Sequence, residues 1–153
     1  MNVLIVGGGA VALRKAEKLL VFRPRISVVA AHICEELKGL ALCGNDSIKT
    51  GSYAASATPS AISLYERNFR DDDIIGKALC IAATDDRSLN RHISKLCSKA
   101  HIPVNVVDDP ELCTFFFPAL INDGELSIGI STGGKSPVAA RELKKCIDSA
   151  LPS

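Results

Sequence analysis

An apolar run, Val3-Leu-Ile-Val6, passes straight into Gly7-Gly-Gly9 and then Ala10-Val-Ala12, almost at the first residue of the chain. A short buried strand, a glycine turn and a helix in direct succession make a βα unit whose helix N-terminus opens on the turn. Gly7, Gly9 and Ala12 fit the spacing G-x-G-x-x-A. In that spacing the first glycine makes the tight turn and the second lets a pyrophosphate approach the backbone. The small third residue lets helix and strand pack closely. The helical pattern Val11, Leu13, Ala16, Leu19 and Leu20 supplies the context the motif requires, so the unit points to a bound dinucleotide.

The rest of the chain extends this unit. A helix over about residues 11–22 breaks at Arg23-Pro24 before a second strand at 25–31. A second helix at 34–42 leads into residues 44–60, whose small and turn residues read as a long, mobile surface loop. A third strand at 62–68 and a helical turn at 71–75 follow. The unbroken apolar stretch 78–84 suits a parallel strand covered on both faces. Asp85 or Asp86 then caps a helix at 88–100, and a fifth strand, 104–107, ends at Asp108-Asp109. The order β-α-β-α-β-β-α-β predicts a Rossmann-like, doubly wound parallel sheet with its ligand crevice at the carboxyl ends of the strands.

Beyond Pro110 the pattern changes. Leu126, Ile128 and Ile130 alternate with Ser127, Gly129 and Ser131 behind the turn Asn122-Asp-Gly124, which predicts a β-hairpin over 114–131. Ser136 and Pro137 open a last helix as N-cap and first helical residue, with an apolar stripe of Val138, Ala139, Leu143, Cys146, Ile147 and Ala150. The expected organisation is a nucleotide-binding domain at 1–112 and a hairpin-and-helix segment at 113–153.

Charge and composition narrow the partners. Lys and Arg number 18 against 17 Asp and Glu, a net charge of +1, so no general field draws nucleic acid or a membrane surface, and an anionic ligand must be held locally. No apolar run reaches the roughly 18 residues of a membrane span, and no signal-peptide pattern begins the chain; a cytoplasmic protein is expected. The six cysteines form no C-x-x-C pair and read as reduced, small core side chains rather than a zinc or redox site. His32, His92 and His101 are too scattered for a histidine metal site, and no metal ligands are assigned.

Three places could carry chemistry. The second strand has no acid near its end until Glu35, so ribose contacts fall to the backbone at Ala31 and to His32, with NAD and NADP both open. Asp108 ends the fifth strand at the crevice, where its carboxylate could take a proton or hold a metal ion. Thr132-Gly133-Gly134-Lys135 is a second glycine turn before a helix, whose exposed amides and lysine suit a carboxylate or phosphate.

Taken together, Val6–Lys15, Ile81–Asp86, Asn105–Asp108 and Ser131–Arg141 resemble the precorrin-2 dehydrogenase family, the N-terminal domain of siroheme synthases. The resemblance implies NAD-dependent oxidation of precorrin-2 to sirohydrochlorin, followed in some members by insertion of ferrous iron to give siroheme. It implies a homodimer joined through the hairpin and last helix. It also implies cofactor contacts at Ala10, Val11, Ala31 and His32, and a chemical role for Asp108; Thr84, at the end of the fourth strand, is a further cofactor-binding candidate. The tetrapyrrole's carboxylates would meet Thr132 to Lys135, with Arg14, Lys15 and Arg141 as further candidates. Two other functions fit the same residues: a non-catalytic nucleotide- or tetrapyrrole-binding module, and a chelatase without dehydrogenase activity.

Overall fold

The structure is a computed structural model that describes residues 1–43, 61–123 and 126–151. The loop expected at 44–60 and the tip of the Asn122–Gly124 turn lie outside the described residues. The chain divides into two compact units, Met1–Thr114 and Phe115–Ser153.

The first unit is a five-stranded parallel sheet. Its strands are β1 (Asn2–Val6), β2 (Arg25–Ala30), β3 (Ala61–Glu66), β4 (Leu79–Ala82) and β5 (Val104–Val106), in the order β3-β2-β1-β4-β5. Its helices are α1 (Ala10–Leu20), α2 (Glu35–Cys43) and α3 (Arg87–Lys99), with a 3₁₀ turn at Asp71–Ile74. The doubly wound sheet expected from the sequence is present. The chain winds outward from β1 to β2 and β3, then returns to the other side of β1 for β4 and β5, so the order reverses between β1 and β4. Connections leaving in opposite directions at that point open a crevice above the strand ends.

Central position explains the continuous apolar runs. Val3, Leu4, Ile5 and Val6 of β1 and all of β4 are buried, because helices cover both faces there. Leu4 and Val6 join Cys80, Ala82, Ile93, Cys97, Val104 and Val106 in one core cluster against α3. By the alternation of a strand, Val3 and Ile5 face the other way, where α1 lies against β1 and α2 against β3. Cys80 and Cys97 are buried and free, as expected of small core thiols, whereas Cys146 is exposed.

Two details depart from the sequence expectation. The fifth strand stops at Val106, although the Val107 N–H still donates to Ala82 O (3.0 Å). Asp108 follows with φ +62, so it does not continue the strand. The expected hairpin also begins later, at Ala119. Thr114 is tied to the sheet instead: its N–H donates to Val104 O (2.9 Å), and its hydroxyl accepts from Val104 N (2.9 Å).

The second unit pairs β6 (Ala119–Asp123) with β7 (Leu126–Ile130) in antiparallel register and adds α4 (Pro137–Ala150). Pro118, which has no N–H for a ladder, precedes β6. Phe115 and Phe117 pack edge to face, with centroids 5.0 Å apart. Ser136 caps α4, accepting from Ala139 N (3.2 Å), and Pro137 takes the first turn as the sequence predicts.

Candidate nucleotide cleft and surrounding residues

The carboxyl ends of β1, β2 and β4 surround a cleft of ≈ 1090 Å³. The glycine turn forms its floor, and each glycine has a different reason to be there. A Cβ on Gly7, at φ +125, would lie 2.2 Å from Ala83 O. One on Gly8 would lie 2.1 Å from His32 O. Gly9 has nothing within 4 Å of a Cβ position, so the space above it is open to a ligand. Gly9 is also the N-cap of α1, makes no side-chain cap, and no acid lies in the first helical turn. The α1 N-terminus therefore presents its amides and positive dipole end to the cleft without a competing carboxylate.

Gly7, Gly9, Ala10, Val11, Ala31, His32 and Thr84 all line the cleft. Ala12 does not: it is 1% exposed, in the packing of α1 on the sheet. Two residues absent from the motif support the floor. Gly8 seats the segment after β2, because its carbonyl accepts from Cys34 N (2.8 Å). Asn90, 5% exposed on α3, fixes Thr84. Its Oδ1 accepts from the Thr84 hydroxyl (2.7 Å) and amide (3.3 Å), and its Nδ2 donates to Thr84 O (2.9 Å). Of the two candidate caps, Asp86 caps α3. The Ser88 hydroxyl, then the Leu89 and Ser88 amides, hold its carboxyl below the usual range.

Asp108 is exposed and is not among the residues lining this cleft. Three described residues other than glycine have positive φ: Arg23, His101 and Asp108. Arg23 and His101 follow α1 and α3, where a left-handed residue closes a helix. Asp108 instead lies in the turn that follows β5, a left-handed position that aspartate tolerates better than most side chains. Lys15, half-buried on α1, lies within electrostatic reach of it. Burial and the nearby Lys18 charge lower the Lys15 pKa, while Cys113 and Asp108 oppose them. The Cys113 thiol accepts from Val106 N (3.1 Å), and burial pushes its pKa up, which keeps it a protonated structural group.

In the second unit, Gly133 (φ +60) and Gly134 (φ +78) shape the turn before α4, and a Cβ on Gly134 would strike Phe116. The amides expected to be open here are largely occupied. Gly133 N donates to Ser131 Oγ (3.2 Å), Lys135 N to Thr132 O (3.2 Å) and Ser136 N to Thr132 Oγ1 (3.0 Å). Thr132 thus braces the turn, and the exposed Lys135 side chain is its outward group.

Comparison with known proteins agrees with this architecture. A family model described as NAD(P)-binding matches residues 1–119, and one described as sirohaem biosynthesis protein central matches 123–150. A siroheme synthase of Thioalkalivibrio sulfidiphilus (strain HL-EbGR7) is 44% identical over 150 residues, 98% of this chain and 27% of that protein. One from Nitrosomonas europaea is 39% identical, over 98% of this chain and 28% of its own length. The chain thus spans little more than a quarter of these relatives. The solved structure named SirC, precorrin-2 dehydrogenase, shares the fold, with a TM-score of 0.71 at 23% identity over 99% of this chain and 66% of that one. The expected NAD cofactor agrees with the NAD(P)-binding description. With that model on the glycine turn and sheet and the sirohaem-biosynthesis model directly behind it, the chain belongs to the siroheme synthase N-terminal domain family.

Proposed function

We propose that the chain binds NAD in the cleft and oxidises precorrin-2 to sirohydrochlorin in siroheme biosynthesis, as a cytoplasmic homodimer. The observation that carries this reading is the α1 N-terminus, left open above Gly9 and free of acid in a chain of this family. Gly7, Gly9, Ala10 and Val11 would hold the pyrophosphate, Ala31 and His32 the adenosine ribose, and Thr84 the β4 side of the cofactor. The nicotinamide supplies the hydride acceptor. Asp108 takes the proton that leaves the macrocycle with the hydride. Lys135, on the turn from Thr132 through Gly133 and Gly134, meets the substrate's carboxylates, with Arg14 and Arg141 as further exposed cations. Val138 and Leu143, 59% and 53% exposed on α4, offer an apolar face to a second copy.

The test is anaerobic incubation of purified protein with precorrin-2 and NAD, following sirohydrochlorin absorbance with and without ferrous iron. Wild type should turn over, and Asp108→Ala should lose about 100-fold or more while still binding NAD. Undiminished turnover in Asp108→Ala removes Asp108 from the chemistry. NAD binding without oxidation makes the chain a binding module. Iron insertion without oxidation makes it a chelatase.

A further inference from the structure

Rossmann sheets that bind NAD commonly place an acid at the end of the second strand, against the ribose 2′-hydroxyl. Here β2 ends in Ala30 and is followed by Ala31 and His32. The neighbouring strand brings a carboxylate against the backbone of this segment, although that residue does not itself line the cleft. Glu66, the last residue of β3, pairs in register with Ala30, and its Oε1 accepts from Ile33 N (3.2 Å). Ile33 lines the cleft beside Ala31, His32 and Cys34. The same segment is held from the other side by the Cys34 bond to Gly8 and by the close seat of His32 O on that glycine.

We propose that Glu66 is the residue that selects NAD over NADP, a conclusion that rests on the reading of this cleft as a dinucleotide site. Glu66 acts as a positioning residue through Ile33, fixing the backbone that meets the ribose, and sets negative charge where a 2′-phosphate would lie. The surrounding charges reinforce it. Lys38 is shared between Glu35 (3.1 Å) and Glu66 (3.7 Å), two carboxylates to one ammonium. Arg67, next in sequence, is turned to Asp73, with bonds of 2.6 and 2.9 Å. Among the described residues lining the cleft none is Lys or Arg, the groups that accommodate a 2′-phosphate.

Calorimetric titration of NAD and of NADP into wild type, Glu66→Gln, Glu66→Asp and Lys38→Ala tests this without any tetrapyrrole. Wild type should prefer NAD by about tenfold or more, the effect of one extra charge interaction at this range. Glu66→Gln should erase most of that preference, chiefly by tightening NADP. Glu66→Asp should retain it, and Lys38→Ala, which leaves the carboxylates less compensated, should widen it. A wild-type protein without preference, or an unchanged ratio in Glu66→Gln, overturns the proposal. Equal weakening of both cofactors in Glu66→Gln also overturns it, because Glu66 would then only support Ile33. Should Glu66→Gln fail to fold, a narrowed ratio in Lys38→Ala overturns it alone. Wild type that binds neither dinucleotide removes the reading of the cleft, whereas binding with the wrong ratio removes only the role of Glu66.

Discussion

Gly8 and Gly9 are adjacent and identical, yet alanine should affect them in opposite ways. Gly8→Ala drives a methyl into His32 O and should cost about 1–3 kcal/mol in urea unfolding. Gly9→Ala, with open space and φ −92, should cost less than about 1 kcal/mol yet abolish NAD binding, because only the ligand meets the new methyl. Asp108 gives a third contrast. Asp108→Gly relieves the left-handed backbone and should raise stability by up to about 1 kcal/mol while turnover falls, which unfolding and assay of one preparation would reveal. The motif glycines were legible because their spacing is local. Gly8 was not, since its constraint comes from the segment after β2. Asn90 left a usable signal: it shares the buried stripe of α3 with Ile93, Ser94 and Cys97, and a polar residue on such a stripe needs partners.

Among the elements, the tail of β3 is set by the 3₁₀ turn that follows it. Arg67 grips Asp73 through Nη1 and Nη2 and also donates to Asn68 O (2.9 Å), which fixes Asn68 and Phe69 at the cleft wall. The Arg67 bonds, then the Arg70 amide, hold the Asp73 pKa below its ordinary value, with burial opposing. A carboxyl depressed in the folded state stabilises above its unfolded pKa, about 3.9, and that contribution disappears as pH falls through the lower folded value. Urea midpoints should therefore decline below about pH 4 more steeply in wild type than in Arg67→Ala. At neutral pH that variant should unfold at a lower urea concentration than wild type, because Asp73 loses its charged partner. Element type and order could be read from hydrophobic period. The late start of β6 could not, because Thr114 is claimed by Val104, a partner across the sheet edge that periodicity does not register.

For the whole molecule, the stripe read on α4 from sequence is mostly exposed: Ala140 is buried on that helix, while Val138, Leu143 and Cys146 are not. A helical period reveals that a face is apolar, but not whether its own chain or a second copy covers it. Leu143→Glu should shift the proposed dimer to monomer in sedimentation equilibrium and leave NAD affinity unchanged. The seating of Gly7 on Ala83 and of Gly8 on His32 joins the ends of β1, β4 and β2 without clearance between them. A ligand gripping that junction cannot order one loop alone. Its binding free energy should appear as resistance of the entire first unit to unfolding, about 2.7 kcal/mol at a hundredfold excess over Kd, with amide exchange slowed alike in all three strands.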